Sequence, residues 1–180
     1  MQLRVVYEKE MTADLDGRIR AALCHCFPAD HAVFSRARGW HGSVPAWTLI
    51  LEDARQRVAA HVGIVERTIA VGDATLRVAG VQNVCVLPEY RSRGYCDQVM
   101  NAMTNEATCQ EYECGLLFCG VDLCKVYRRC GWTSLDARTI VRTNKKGESV
   151  NLPSGNTAMF LPLVTEKFPQ GDIHLRGNDW

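Results

Sequence analysis

Apolar positions along this chain switch between a two-residue and a three-to-four-residue period, and the switches mark its elements. Residues 2–7 alternate as a strand, and Ile19, Leu23 and Phe27 then recur at helical spacing behind Thr12 or Asp14, either of which can cap the helix. Residues 30–46 keep neither period and read as loop-rich or irregularly helical. Strands over 47–52 and 58–69 are joined by the polar turn 53–57, and Val71-Gly72-Asp73 reverses the chain into a long strand, 74–86. Within it Val78-Ala79-Gly80-Val81 invites a bulge or bend at Gly80. A helix with Val99, Met100 and Met103 as its buried stripe ends near Thr108, and 114–119 is a continuous apolar strand. Asp122 can cap a short helix through Leu123, Val126 and Tyr127, which stops before Gly131-Trp132. Strands over 137–143 and 157–163 flank a turn at Lys145-Lys146-Gly147, and an exposed edge near Thr157–Leu163 would allow a homodimer. The order β, helical region, β, β, β, helix, β, helix, β, β predicts an α/β fold around one mixed central sheet flanked by helices. At 180 residues, without repeat or linker, one domain over 1–180 is expected.

Composition narrows the partners. A net charge of +1 with no run of like charges argues against a nucleic-acid surface, and the longest uncharged run, Val78 to Pro88, is too short to span a bilayer. With no signal-peptide core in Met1 to Glu10, a soluble cytoplasmic protein with a small-molecule partner is expected. Cys109, Cys114, Cys119 and Cys124 recur every five residues among nine cysteines, a period that matches neither helix nor strand. No Cys-x-x-Cys pair exists and Cys24 and Cys26 point apart on a helix, so the thiols read as small buried hydrophobes and no metal site is expected.

The chemistry concentrates in Asn83 to Cys96, NVCVLPEYRSRGYC, where an apolar strand ends in an Arg-rich, glycine-punctuated turn that opens a helix. Backbone N–H groups at such a junction lack helical partners, and the helix dipole places about half a positive charge there, a combination that holds a pyrophosphate. Arg91 and Arg93 add charge, and Gly94 lets the backbone approach closely.

The spacing Arg91-x-x-Gly94-x-Cys96, preceded by Val84-x-Val86 and Pro88, resembles the acyl-coenzyme-A (CoA) site of the GCN5-related N-acetyltransferases, the GNAT superfamily; Cys96 stands where a Gly or Ala is usual. Three further passages are similar to its aminoglycoside 2'-N-acetyltransferase branch: Val58-Ala59-Ala60-His61-Val62; Gly115-Leu116-Leu117 with Tyr127-x-x-x-Gly131-Trp132; and Arg176-Gly177-Asn178-Asp179-Trp180, one residue shorter than that branch's ending. The segment AAHVGIVERTIAVG also looks like the nodulation N-acyltransferases, which use fatty acyl groups.

The resemblance implies a GNAT fold and a direct transfer of the acyl group, from acetyl-CoA or another acyl-CoA, to a small amine such as an amino sugar or aminoglycoside in a ternary complex. It implies that Val84, Cys85 and Val86 offer backbone to the pantetheine arm and that Arg91, Ser92, Arg93, Gly94, Tyr95 and Cys96 hold the pyrophosphate. Tyr127 matches the general acid for the departing thiolate. Asp30, Asn83, Asp179 and Trp180 are the candidate acceptor contacts, with 164–180 as a tail closing that site; a surface anchor is the other reading of Trp180. Gln82 occupies the position of the branch's glutamate base and cannot take a proton at neutral pH. Either His61, Glu66 or the terminal carboxylate acts instead, or the amine arrives unprotonated, or transfer is slow or absent. A non-catalytic acyl-CoA-binding sensor or partner module and a longer-chain N-acyltransferase are therefore the competing functions. Cys85 is expected to be buried and inert rather than an acyl carrier. Between Leu23 and Trp47 the only acid is Asp30, beside Arg36 and Arg38, which suits a polycation poorly; Phe27, Phe34, Trp40 and Trp47 suit either stacking on a sugar or a minor core. Asp136, Asp172, Asp179 and the terminal carboxylate could supply a small acidic rim.

Overall fold

A computed structural model describes the chain except Asp136, Ala137, Lys145, Pro153 and Ser154; the expected start of a strand at Ala137, the Lys145 end of the predicted turn and the Asp136 rim position lie outside the described residues. The described residues form two compact units, Met1–Val65 with Gln82–Met103, and Glu66–Val81 with Thr104–Trp180. Three elements contribute to both: strand β3 (Val58–Val71), strand β4 (Ala74–Val86) and helix α3 (Tyr95–Cys109).

In the first unit β1 (Gln2–Tyr7) pairs antiparallel with β2 (Trp47–Glu52), from Gln2↔Glu52 to Tyr7↔Trp47, and β2 pairs antiparallel with β3. Helix α1 (Ala13–Cys26) starts where Thr12 Oγ1 accepts the Leu15 N–H at 3.2 Å, which decides the cap in favour of Thr12. Its buried face, Leu15, Ile19, Ala22 and Leu23, follows the helical repeat and joins a core with Val6, Phe34, Ile50, Val58 and Leu87. Residues 28–42 form short turns around α2 (His31–Phe34).

The second unit holds a mixed set of ladders. β4 runs parallel to β5 (Cys114–Gly120) from Val78↔Cys114 to Val81↔Leu117. β6 (Thr133–Ser134) and β9 (Asn156–Pro162) pair antiparallel, as do β5 and β9. β7 (Ile140–Thr143) and β8 (Ser149–Asn151) form a hairpin, and β10 (Ile173–His174) lies parallel to β7 and antiparallel to β3. Between β5 and β6 sits the short helix α4 (Cys124–Arg128).

Several expectations need correction. β9 is paired along its length with β5 and is covered by β6 at Met159 and Phe160, so it is not a free edge there. The described part of the turn, Lys146-Gly147, leads into β8 rather than directly to β9. Asp122 lies inside a single turn of tighter helix and does not cap α4; Leu123 holds that position with no side-chain bond. The break in β4 falls at Asn83 (φ 56°), not Gly80, because Asn tolerates the left-handed region. Gly80 is glycine for another reason: a Cβ there would stand 2.7 Å from Trp180 Cζ2.

Candidate functional site

The turn expected to hold a pyrophosphate lies in the first unit. Backbone at Ser92 (φ 60°) and Gly94 (φ 76°) is left-handed, and the first helical bond of α3 runs from Gln98 N–H to the Gly94 carbonyl at 3.0 Å. The amides ahead of Gln98 therefore stand at the positive end of the helix. Residues 91–94 are all exposed, while Tyr95 and Cys96 are half-buried. A Cβ on Gly94 would meet nothing within 4 Å, so this glycine answers to conformation and not to space. Arg91 Nε donates to the Val86 carbonyl at 3.1 Å and ties the turn to the end of β4. The Tyr90 ring carries Arg93 on one contact (5.8 Å to the centroid) and Arg57 on another (5.9 Å), and its hydroxyl donates to Asp53 at 2.6 Å.

Behind the turn, Val84 and Val86 are half-buried and Cys85 is buried. Hydrogen bonding with Cys26 and burial push the Cys85 thiol well up from its ordinary range, as expected of an inert cysteine. Gln82 and Asn83 are both buried, and their amides hold the loop before β2. Gln82 Nε2 donates to the Ser43 carbonyl (2.7 Å), Gln82 Oε1 accepts from Trp40 N–H (3.0 Å), and Asn83 Nδ2 donates to the Arg38 carbonyl (2.6 Å). The amide at 82 is thus an architectural clasp. His61 Nδ1 donates to the Asn83 carbonyl at 2.9 Å, which fixes the neutral tautomer, and Nε2 has no partner among the described residues. Burial pushes His61 down to about 4, a poor proton acceptor for an ammonium group.

The buried arginine of the loop is compensated by acids from outside it. Arg38 is buried, with Nε on Asp16 (2.7 Å) and Nη2 on Glu8 (2.6 Å), so its charge is spent inside the unit. Asp30 is half-buried and starts α2 without a side-chain capping bond. The aromatics of this stretch pack as core: Phe34 lies 4.5 Å from Trp40 and 5.4 Å from Phe27 by ring centroids, and Trp47 is buried.

Tyr127, Asp179 and Trp180 belong to the second unit. Tyr127 lies on α4, largely buried, its ring edge-on to Trp132 at 6.3 Å. Trp180 lies over Gly80, donates from Nε1 to the Leu116 carbonyl (3.3 Å) and packs 5.5 Å from Phe118. Arg142 Nη1 binds Asp179 Oδ1 at 2.8 Å, and Arg67 Nη1 donates to the Asn178 carbonyl at 2.8 Å. The tail is anchored, by two arginines that no local pattern singles out. Glu66 is held below the usual carboxylate range by Arg77, with the Tyr112 hydroxyl adding to the effect, which weakens it as a base. Cys119 and Cys124, expected on unrelated faces, meet at 3.9 Å between Sγ atoms because residues 120–123 fold α4 back towards β5. Among the described residues no group of three or more His, Cys, Asp or Glu side chains is placed to hold a metal.

Residues 9–135, more than half of the chain, match the acetyltransferase (GNAT) domain family. The chain belongs to that family. Its α/β arrangement is the GNAT fold. A GNAT-family N-acetyltransferase from Escherichia coli, solved with CoA, is 18% identical with TM-score 0.68, over 97% of this chain and 89% of that one. A GNAT-family acetyltransferase from Brucella melitensis, solved with acetyl-CoA, is 16% identical with TM-score 0.60, over 96% and 94%. The ribosomal-protein-S18-alanine N-acetyltransferase from Escherichia coli is 14% identical with TM-score 0.59, over 92% and 97%. No helix of the described residues is long and apolar enough to cross a membrane.

Proposed function

We propose that this GNAT protein acetylates a small amine of low charge, an amino sugar in the first instance, by direct attack on acetyl-CoA in a ternary complex. The observation that carries the reading is the exposed Ser92–Gly94 turn, left-handed at both ends, opening α3 directly after the kinked end of β4. Its amides and Arg93 are arranged for a pyrophosphate, and the backbone of Val84–Val86 then takes the pantetheine arm. Tyr127 serves as the acid that protonates the departing thiolate. The Gln82 clasp, the depressed His61 and the ion-paired Glu66 support an amine that arrives already neutral. Acceptor charge follows from the carboxylates. Asp179 is taken by Arg142, and Glu8 and Asp16 by Arg38, which favours a mono-amino sugar over a polycationic aminoglycoside. The nine cysteines, which form no disulfide among the described residues, fit a reducing cytoplasm.

The test is thiol release from acetyl-CoA with a panel of amino sugars, polyamines and aminoglycosides, each across a pH series. Turnover should track the neutral fraction of the amine, and Tyr127→Phe should lower kcat by about a hundredfold, the lower range for a general acid. If Tyr127→Phe leaves kcat and its pH profile unchanged where chemistry limits the rate, the acid is elsewhere. If only the polycations turn over, the acceptor class is wrong.

A further inference from the structure

The C-terminal half of α1 and the turn between β2 and β3 border an open cavity of about 290 Å³ in the first unit, which the acetyl-transfer chemistry leaves unused. Its apolar floor is Ala22, Val58 and Leu87, and its rim carries Arg18, Arg55, Arg57 and His25 with no carboxylate in the lining. Two rim cations are already engaged. Arg18 binds Asp14, Glu52 and the Gln56 carbonyl, while Arg57 gives Nη2 to Glu89. The Arg55 backbone amide donates to Asp53 at 2.8 Å, but its guanidinium has no partner among the described residues. An apolar floor beside an exposed guanidinium that has no carboxylate partner selects a ligand with an apolar body and one negative end. A planar carboxylate matches the donor fork of arginine, whereas inorganic phosphate would leave the floor uncovered.

We propose that this cavity binds a small organic monocarboxylate, its apolar body on Ala22, Val58 and Leu87 and its carboxylate on Arg55, with Arg57 alongside. The volume lies near the lower end for small-molecule sites, about 300 Å³, which fits a single ring. The test is calorimetric titration of sodium benzoate into the intact chain, with neutral benzamide as the matched control. Benzoate should saturate one site and benzamide should not. Arg55→Gln should weaken benzoate about tenfold, the loss of one charge-assisted bond. Ala21 lines the mouth and is exposed, so Ala21→Trp should block the cavity and abolish binding, with thermal melts confirming that both variants fold. Equal binding of benzamide, benzoate binding indifferent to both substitutions, or no saturation would overturn the proposal. Displacement of benzoate by adenosine 3',5'-bisphosphate would also overturn it, since the cavity would then belong to the nucleotide end of the acyl donor.

Discussion

Gly80 and Trp180 form a coupled pair whose energy can be measured. A Cβ at residue 80 would stand 2.7 Å from Trp180 Cζ2 and 2.9 Å from Cδ2, well inside contact distance for carbon, and the indole is too rigid to give way. Gly80→Ala should therefore expel the ring. Trp180 is only 6% exposed, so expulsion forfeits nearly the burial lost on truncating a core Trp, about 3 kcal/mol, including the hydrogen bond to Leu116. In a Trp180→Ala background the same Gly80→Ala change meets no ring and should stabilise by about 0.5 kcal/mol, because alanine restricts the unfolded chain more than glycine does. Urea unfolding of the wild type, both single variants and the double variant closes the cycle, with an expected coupling near 3 kcal/mol. Should Gly80→Ala cost as much without the ring as with it, the packing argument fails.

Burial places His61 at about 4 against 6.5 for a free side chain, so between those pH values the unfolded chain binds a proton that the folded chain refuses. Stability should be level above about pH 6.5 and fall by about 3 kcal/mol on the way to pH 4, a slope reduced in His61→Gln as followed by urea unfolding. Gln82→Glu removes the donor to Ser43 and buries a carboxylate against that carbonyl. It should destabilise by about 2 kcal/mol in thermal melts without raising turnover, and a gain of activity would mean that a base at 82 is what the site lacks. Gly94→Ala meets no neighbour but must hold φ near 76°, so KM for acetyl-CoA should rise about fivefold with kcat unchanged in steady-state assays.

What could be read from the chain is what local periodicity carries. The strands at 2–7, 47–52 and 74–86 and the α3 stripe emerge within a residue or two, since their apolar positions recur locally in the sequence. The glycine turn that opens α3 is legible because Gly94 follows directly on Arg91-Ser92-Arg93 and precedes the helical stripe. β8 escaped notice because Ser149–Asn151 is short and polar and exists through pairing with β7. The positions of β9 and of the thiols of Cys119 and Cys124 depend on which distant segments dock, and no window of sequence encodes that. The local pattern at Gly80 points to backbone bending, whereas a Cβ there is excluded by a side chain a hundred residues on, Trp180. Gln82 looked like a missing base, and its role as a clasp appears only with Ser43 and Trp40 beside it.

Asn83 has a consequence for comparing this chain with others. One left-handed residue inside a strand shifts the phase of inward and outward side chains, so positions after it no longer keep step with those before. Threading that assumes unbroken alternation through residues 74–86 would put every later residue on the wrong side, and an apparent single-residue gap there would record a kink in the main chain, not a deletion.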